Sequence, residues 1–513
     1  MLKQGSIEAL GGRVAPLEMS PDDFREVGHQ LIDHIADFLG SLPARRIGPG
    51  KTPAQIRTVL GDASLPENGT PADKLLEEAT NLMFDHSMFN GHPRFWGYIT
   101  SSAAPIGALG DLLASTVNAN VGGWALSPIQ SEIEAQTVRW IAELLGYPSD
   151  CGGLLVSGGN AANFVGFLAA RRKKLGADVR TKGVNISSTG QPRVYCSAGT
   201  HTWIEKAADQ FGIGTDSIRW IATHDSQKMD LAALRQQIEQ DKTNGDTPFL
   251  VVGTAGSVGV GAVDDLPRIA ALCREQDLWF HVDGAYGGFA ACLPDAPPEL
   301  KGLNEADSIA VDPHKWLYSA LEAGCALVRD PQDLLDTFDY HPTYYKFEEE
   351  QAAEEAPINY HNYGPQNSRG FRALKVWLGL RQVGKNGYIR MISDDIQLSE
   401  HLYHLVEIHP NFEAFTQNLS ITTFRYVPSN LATGSDETEQ YLNTLNEKLL
   451  TELQNGGEAF VSNAVISDTY LLRACIVNFR TALEDIEALP DIVSSIGSRA
   501  DAAIRSEHLK IQA

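Results

Sequence analysis

Apolar residues recur at three- and four-residue spacing in MSPDDFREVGHQLIDHIADFLGSL, where Phe24, Val27, Leu31, Ile35 and Phe38 would share one face of a helix. Ser20 can cap that helix, Pro21 suits its first turn, and Asp22 and Asp23 favour its positive end. Turn-rich stretches, RRIGPGKTPAQI and GDASLPENGTP, follow it. Residues 1–104 therefore predict a helical arm without a core of its own. An apolar face on such an arm suggests packing against a second subunit.

From Pro105 the pattern changes to helices alternating with short apolar runs, among them RVYCSA, FLVVGTAGS, LWFHVDGA, SIAVD and CALVRD, each followed by a turn. Such alternation predicts an α/β domain, here placed at 105–375, with a mostly parallel central sheet and helices on both faces. Ligands in that architecture sit beyond the carboxyl ends of the strands. Within the domain, residues 339–369 are polar, acidic in the middle and without periodicity, which reads as a long mobile loop of the kind that forms lids. Residues 376–513 open with a helical pattern and then mix strands such as AFTQ, SITTFRYV and YLLRACIVNF with helices, which predicts a small C-terminal α+β domain.

Composition narrows the function. The chain has 513 residues and a formal charge of −24, which argues against nucleic acid and against an anionic membrane surface as partner. The six cysteines form no CxxC pair, so neither a zinc site nor a disulfide framework is expected and no metal is assigned. The first residues lack the apolar core of a signal peptide and no stretch reaches the length of a membrane span, so the expected location is the cytoplasm.

The chemistry concentrates in SIAVDPHKWLYSAL, where a buried-strand pattern ends on Asp312, Pro313, His314 and Lys315. A lysine at the end of an apolar strand can lie on the surface, or it can be held where its amine attacks a carbonyl. Three further features fall at strand ends. LLVSGGNAANF places a Gly-Gly turn before a helix, where free amides can bind phosphate. His201 follows RVYCSA, and Asp283 ends LWFHVD, where a buried carboxylate needs a partner. Pyridoxal 5'-phosphate would satisfy all four, with a phosphate for the helix start, a flat cationic ring for Asp283 and His201, and an aldehyde for Lys315.

VDGAYGG followed by VDPHKW resembles the group II pyridoxal-phosphate decarboxylases, most closely their aromatic-L-amino-acid decarboxylase branch. The similarity runs through HPRFWGY, GGWALSPIQSEIE, SGGNAANF and SRGFRALKVW, and is looser over the last hundred or so residues. It implies the type I aminotransferase-like fold, a homodimer with active sites at the subunit interface, and decarboxylation of an L-amino acid to the amine and carbon dioxide. By the same resemblance Lys315 would hold the cofactor covalently, Asp283 would pair with its ring nitrogen, His201 would stack on the ring, and Ala285 would sit at the ring's edge. Gly159, Asn160, Asp312 and His314 match positions around the phosphate. Tyr344 matches a mobile-loop tyrosine that protonates the substrate carbon, and Tyr98 and Thr100 match the substrate side-chain pocket.

The chain departs from the family pattern in two places. Val258 and Asp312 stand where a hydroxyl or asparagine is usual at the phosphate, and Ser257 could supply the missing hydroxyl. Asn120 and Gly122 replace an isoleucine and a phenylalanine on the neighbouring subunit's wall, which implies a wider, more polar pocket. Ser368 matches a serine of plant relatives that prefer phenolic substrates. The expected substrate is thus an aromatic amino acid such as tyrosine, dopa or a tryptophan-like one. The alternatives are an aldehyde-forming oxidative decarboxylase, a decarboxylase of a nonaromatic amino acid, and a noncatalytic ligand-binding relative.

Overall fold

The computed structural model describes residues 11, 13, 15–184, 190–340 and 357–505. Seven strands form the central sheet: β1 (Gly152–Val156), β2 (Pro192–Ser197), β3 (Ile218–Ile221), β4 (Thr247–Thr254), β5 (Trp279–Asp283), β6 (Ser308–Val311) and β7 (Gly324–Val328). Their spatial order is β1-β7-β6-β5-β4-β2-β3. The pairs from β6 across to β3 are all parallel, whereas β7 runs antiparallel to both β1 and β6. Residues 312–323 join β6 to β7 without a helix to carry a crossover, and the chain returns in the opposite direction.

Alternation along the buried strands feeds two cores. Val251, Phe280, Val282, Ile309 and Val311 point to one face, and Leu250, Val252, Trp279 and Ala310 to the other. Helices cover both, with Gly159–Leu175 over one and Leu266–Gln276 over the other. The same alternation in β5 sends His281 and Asp283 to the side of Trp279, toward the helix Gly159–Leu175.

A second sheet of four strands, β8 (Phe412–Asn418), β9 (Ile421–Tyr426), β10 (Ser462–Ile466) and β11 (Thr469–Cys475), has the order β10-β11-β9-β8 and packs on helices Asp436–Gly456 and Leu483–Ile504. The helix Ala373–Ile408 serves both cores: Val376 and Ile392 pack with the large sheet, Leu402 and Val406 with the small one. It bends at Gly384, whose φ of 68° suits a residue without Cβ. The boundary expected at 375/376 falls in the first turn of this helix.

The N-terminal helix forms as Pro21–Ser41, and the Ser20 hydroxyl accepts from the Asp23 amide at 3.1 Å. None of its residues is buried by its own chain, although Phe38 stacks on Phe84 with ring centres 4.2 Å apart. Of the expected loop 339–369, residues 357–369 are anchored. Arg369 is buried against Glu134 (Nη2–Oε1 2.5 Å) and also donates to the carbonyls of Val121 and Leu155, so both terminal nitrogens of this charge are tied to neighbouring chain. Among the described residues no helix is long and apolar enough to cross a membrane.

Candidate active site

The ends of β1, β2, β4, β5 and β6 open on one edge of the sheet, where a cavity of about 210 Å³ is lined by Gly159, Asn160, His201, Asp283, Ala285, Asp312, His314 and Lys315. Eight of the nine residues expected to contact the cofactor therefore meet in one place. Ser257, the ninth, is buried beside it. Its hydroxyl accepts from the Ala262 amide at 3.1 Å and so holds its own turn, while Val258 faces the cavity.

Lys315 follows a tight turn in which its amide donates to the Asp312 carbonyl at 2.8 Å. The turn bends the side chain back, so that Nζ lies 3.1 Å from Asp312 Oδ2. Asp312 is thus turned toward the lysine amine, and its other oxygen, Oδ1, is buried without a hydrogen-bond partner. His314 donates through Nδ1 to the Ala323 carbonyl at 2.7 Å, and burial lowers its pKa, so the ring stays neutral.

Asp283 is held by two donors. The indole Nε1 of Trp203 donates to Oδ2 at 2.7 Å, and the Ala285 amide donates to Oδ1 at 3.1 Å. Each oxygen keeps a lone pair for a ligand. His201 accepts the Trp203 amide through Nδ1 at 3.2 Å, which leaves its proton on Nε2. Burial lowers the His201 pKa, against the opposing pull of Asp283. Beneath them His281, its pKa lowered by burial to about 4, donates through Nε2 to Asn163 Oδ1 at 2.7 Å, and its Nδ1 lies 2.8 Å from the Ser308 hydroxyl.

The substrate-side residues are dispersed. Ile99 reaches the cavity, while Tyr98, with φ 54°, is largely exposed and donates its amide to Ser462, and Thr100 donates weakly to the Gly97 carbonyl (3.4 Å). Asn120, Gly122 and Ser368 form one separate cluster. Asn120 Oδ1 accepts from the amides of Gly122 (3.1 Å) and Arg369 (2.9 Å), next to exposed Ser368. This cluster does not line the cavity of its own subunit. Tyr344 lies outside the described residues.

Sequence reasoning missed Thr254, Asn163, Trp203 and Arg473. Thr254 ends β4 with a buried hydroxyl that lacks a partner at the cavity wall. Arg473, on β11, is buried and donates to the Val258 carbonyl and to Ser462, tying the small sheet to the cavity rim. A threonine and an arginine inside ordinary strand patterns carry no local signal of this.

Residues 53–427 match the family model described as the pyridoxal-dependent decarboxylase conserved domain. The chain is 33% identical to an aromatic-L-amino-acid decarboxylase of Bacillus atrophaeus, over 92% of this chain and 94% of that protein. It is 30% identical to tyrosine decarboxylase 3 of Petroselinum crispum, over 92% of this chain and 91% of that one. The crystal structure of Oryza sativa TDC with PLP and tryptamine superposes with a TM-score of 0.87 at 26% identity, covering 95% of this chain and 99% of that one. The chain belongs to the pyridoxal-dependent decarboxylases. It is a pyridoxal-phosphate-dependent amino-acid decarboxylase with the fold of that family.

The cavity fits the cofactor. A Cβ on Gly159 would stand 2.7 Å from Asp312 Oδ2 and 3.3 Å from the Ala285 methyl, so only glycine lets the chain approach so closely at the helix start. The unpartnered Thr254 hydroxyl and the free lone pairs of Asp283 add a donor and a negative charge on the same cavity.

Proposed function

We propose that the protein decarboxylates an aromatic L-amino acid, of the tyrosine, dopa or tryptophan kind, to the amine and carbon dioxide. The convergence of Lys315 and Asp283 on one cavity at the strand ends carries this reading. Its aromatic part is supported by the activities for which the relatives are named, aromatic-L-amino-acid and tyrosine decarboxylation.

When bound, pyridoxal phosphate supplies an aldehyde that condenses with an amine and a protonated ring that accepts the electron pair left as carbon dioxide departs. Lys315 is the residue that would hold it, with Asp312 neutralising the amine's charge while it is protonated. Asp283, fixed through both oxygens, favours a protonated ring nitrogen by Coulomb attraction. His201, kept neutral by burial, can lie against a cationic ring without repelling it. The first amides of the helix from Gly159, with Asn160, Thr254, Ser257 and His314, surround the place for the phosphate. Ala285 leaves room at the ring's edge. Tyr344 is the proton donor to the substrate carbon, which favours amine over aldehyde.

The working unit is a homodimer in the cytoplasm. Leu109, Leu112, Leu113, Val117, Leu126 and Ile129 are exposed on neighbouring segments, an apolar surface that a second copy would cover. The cluster of Asn120, Gly122 and Ser368 lies next to it and would complete the other subunit's substrate wall, beside Tyr98 and Thr100. Carbon dioxide release measured across the amino acids with pyridoxal phosphate present, with products identified and the mass in solution determined, tests the reading. Release from aromatic amino acids by a dimer is expected, and release only from nonaromatic ones would overturn the substrate assignment.

A further inference from the structure

Trp203 begins the helix Trp203–Gln210 and is fully buried. A buried indole N–H requires an acceptor, and this one uses the carboxylate of Asp283, at 2.7 Å, although the sheet offers many apolar neighbours for the ring itself. Its backbone amide meanwhile donates to His201 Nδ1 at 3.2 Å. One residue therefore fixes both the group expected at the cofactor's ring nitrogen and the group expected against the ring's face. The indole is itself braced, edge to face, by His281 with ring centres 5.7 Å apart and by Phe167 at 6.5 Å. His281 is locked in turn between Asn163 and Ser308, so the indole cannot swing away from Asp283 without breaking a buried network.

We propose that Trp203 is a positioning residue for the cofactor, acting through Asp283. The indole and the Ala285 amide bind different oxygens of the carboxylate, which sets its plane before any ligand arrives and aims the remaining lone pairs into the cavity. A phenylalanine would fill most of the same space and leave Oδ2 without its donor. The amide contact to His201 would persist, because it belongs to the backbone. Trp203→Phe thus removes one hydrogen bond to a charged group and little packing. The inference rests on the cofactor assignment above.

The test measures cofactor affinity of the apoprotein by fluorescence titration, with pyridoxal phosphate and with its 1-deaza analogue, in which carbon replaces the ring nitrogen. In W203F, affinity for pyridoxal phosphate is expected to fall about tenfold, the scale of a hydrogen bond to a charged group. Affinity for the analogue, which offers Asp283 nothing to pair with, should change less than about twofold. In a D283N background, W203F should have no further effect on either. Equal losses with both ligands would mean that the indole only packs, and would overturn the proposal, as would no loss at all. Should W203F not fold, wild-type protein with 15N-labelled indoles gives the same contrast. The signal displaced by D283N should move at least about twofold further with pyridoxal phosphate than with the analogue; equal movement would overturn the proposal. If wild-type protein binds no pyridoxal phosphate, the cofactor assignment falls, and the inference with it.

Discussion

The amine of Lys315 stands 3.1 Å from Asp312 Oδ2, and the second oxygen of that carboxylate is buried without a partner. A buried carboxylate that spends one oxygen on a lysine is costly unless the pair does something. Asp312→Ala is expected to leave the amine unanchored and to lower kcat about ten- to a hundredfold, the worth of a charge-assisted hydrogen bond. Asp312→Asn, which keeps the shape, should lose less. Steady-state kinetics on the two variants checks this, and equal, undiminished rates would contradict it.

Gly159→Ala places a methyl 2.7 Å from Asp312 Oδ2 and 3.3 Å from Ala285. Relieving that overlap should cost about 1–3 kcal/mol. It also moves Asp312 and crowds the helix start, so cofactor affinity should fall by about tenfold or more. Denaturant unfolding of the apoprotein measures the first effect and cofactor titration the second. An unchanged affinity would show that the helix start does not receive the phosphate.

Asp395 is fully buried behind the lysine segment, where it accepts from Trp316 Nε1 at 3.0 Å and from the Tyr318 hydroxyl at 2.7 Å. Burial pushes its carboxyl up to about 7 from an ordinary 3.8. Between about pH 4 and 7 the unfolded chain has released this proton and the folded protein still holds it, so this group's contribution to stability falls as pH rises. Asp395→Asn removes that dependence. Relative to wild type, its unfolding free energy should gain up to about 1.4 kcal/mol per pH unit across that window. Denaturant melts at several pH values test this, and parallel wild-type and variant profiles would contradict it.

Tyr344→Phe removes the proposed proton donor to the substrate carbon. Amine output should fall, with aldehyde and ammonia appearing in its place as dioxygen is consumed and reduced to hydrogen peroxide, read by product chromatography and an oxygen electrode. Unchanged amine production would take this tyrosine out of the mechanism.

Much of this was legible before the fold. The apolar run that ends on Asp283 is β5, the run that leads into Asp312–Lys315 is β6, and the Gly-Gly turn does open a helix onto the same cavity. Strand β3 escaped because four residues with Arg219 and Trp220 partly exposed give too short a period to read, and β10 because Asn463 and Val465 face outward. The hydrogen bond from Trp203 to Asp283 spans 80 residues of sequence, so neither residue type nor local spacing announces it. Asn120 illustrates another limit. Its side chain serves the amides of Gly122 and Arg369, contacts that only the folded chain brings together.

The central claim is that Lys315 holds pyridoxal phosphate covalently beside Asp283. The direct measurement is borohydride reduction of the cofactor-saturated protein, followed by peptide mass mapping. A phosphopyridoxyl adduct on Lys315, absent from Lys315→Ala, is predicted; a saturated protein with no adduct there would contradict the account.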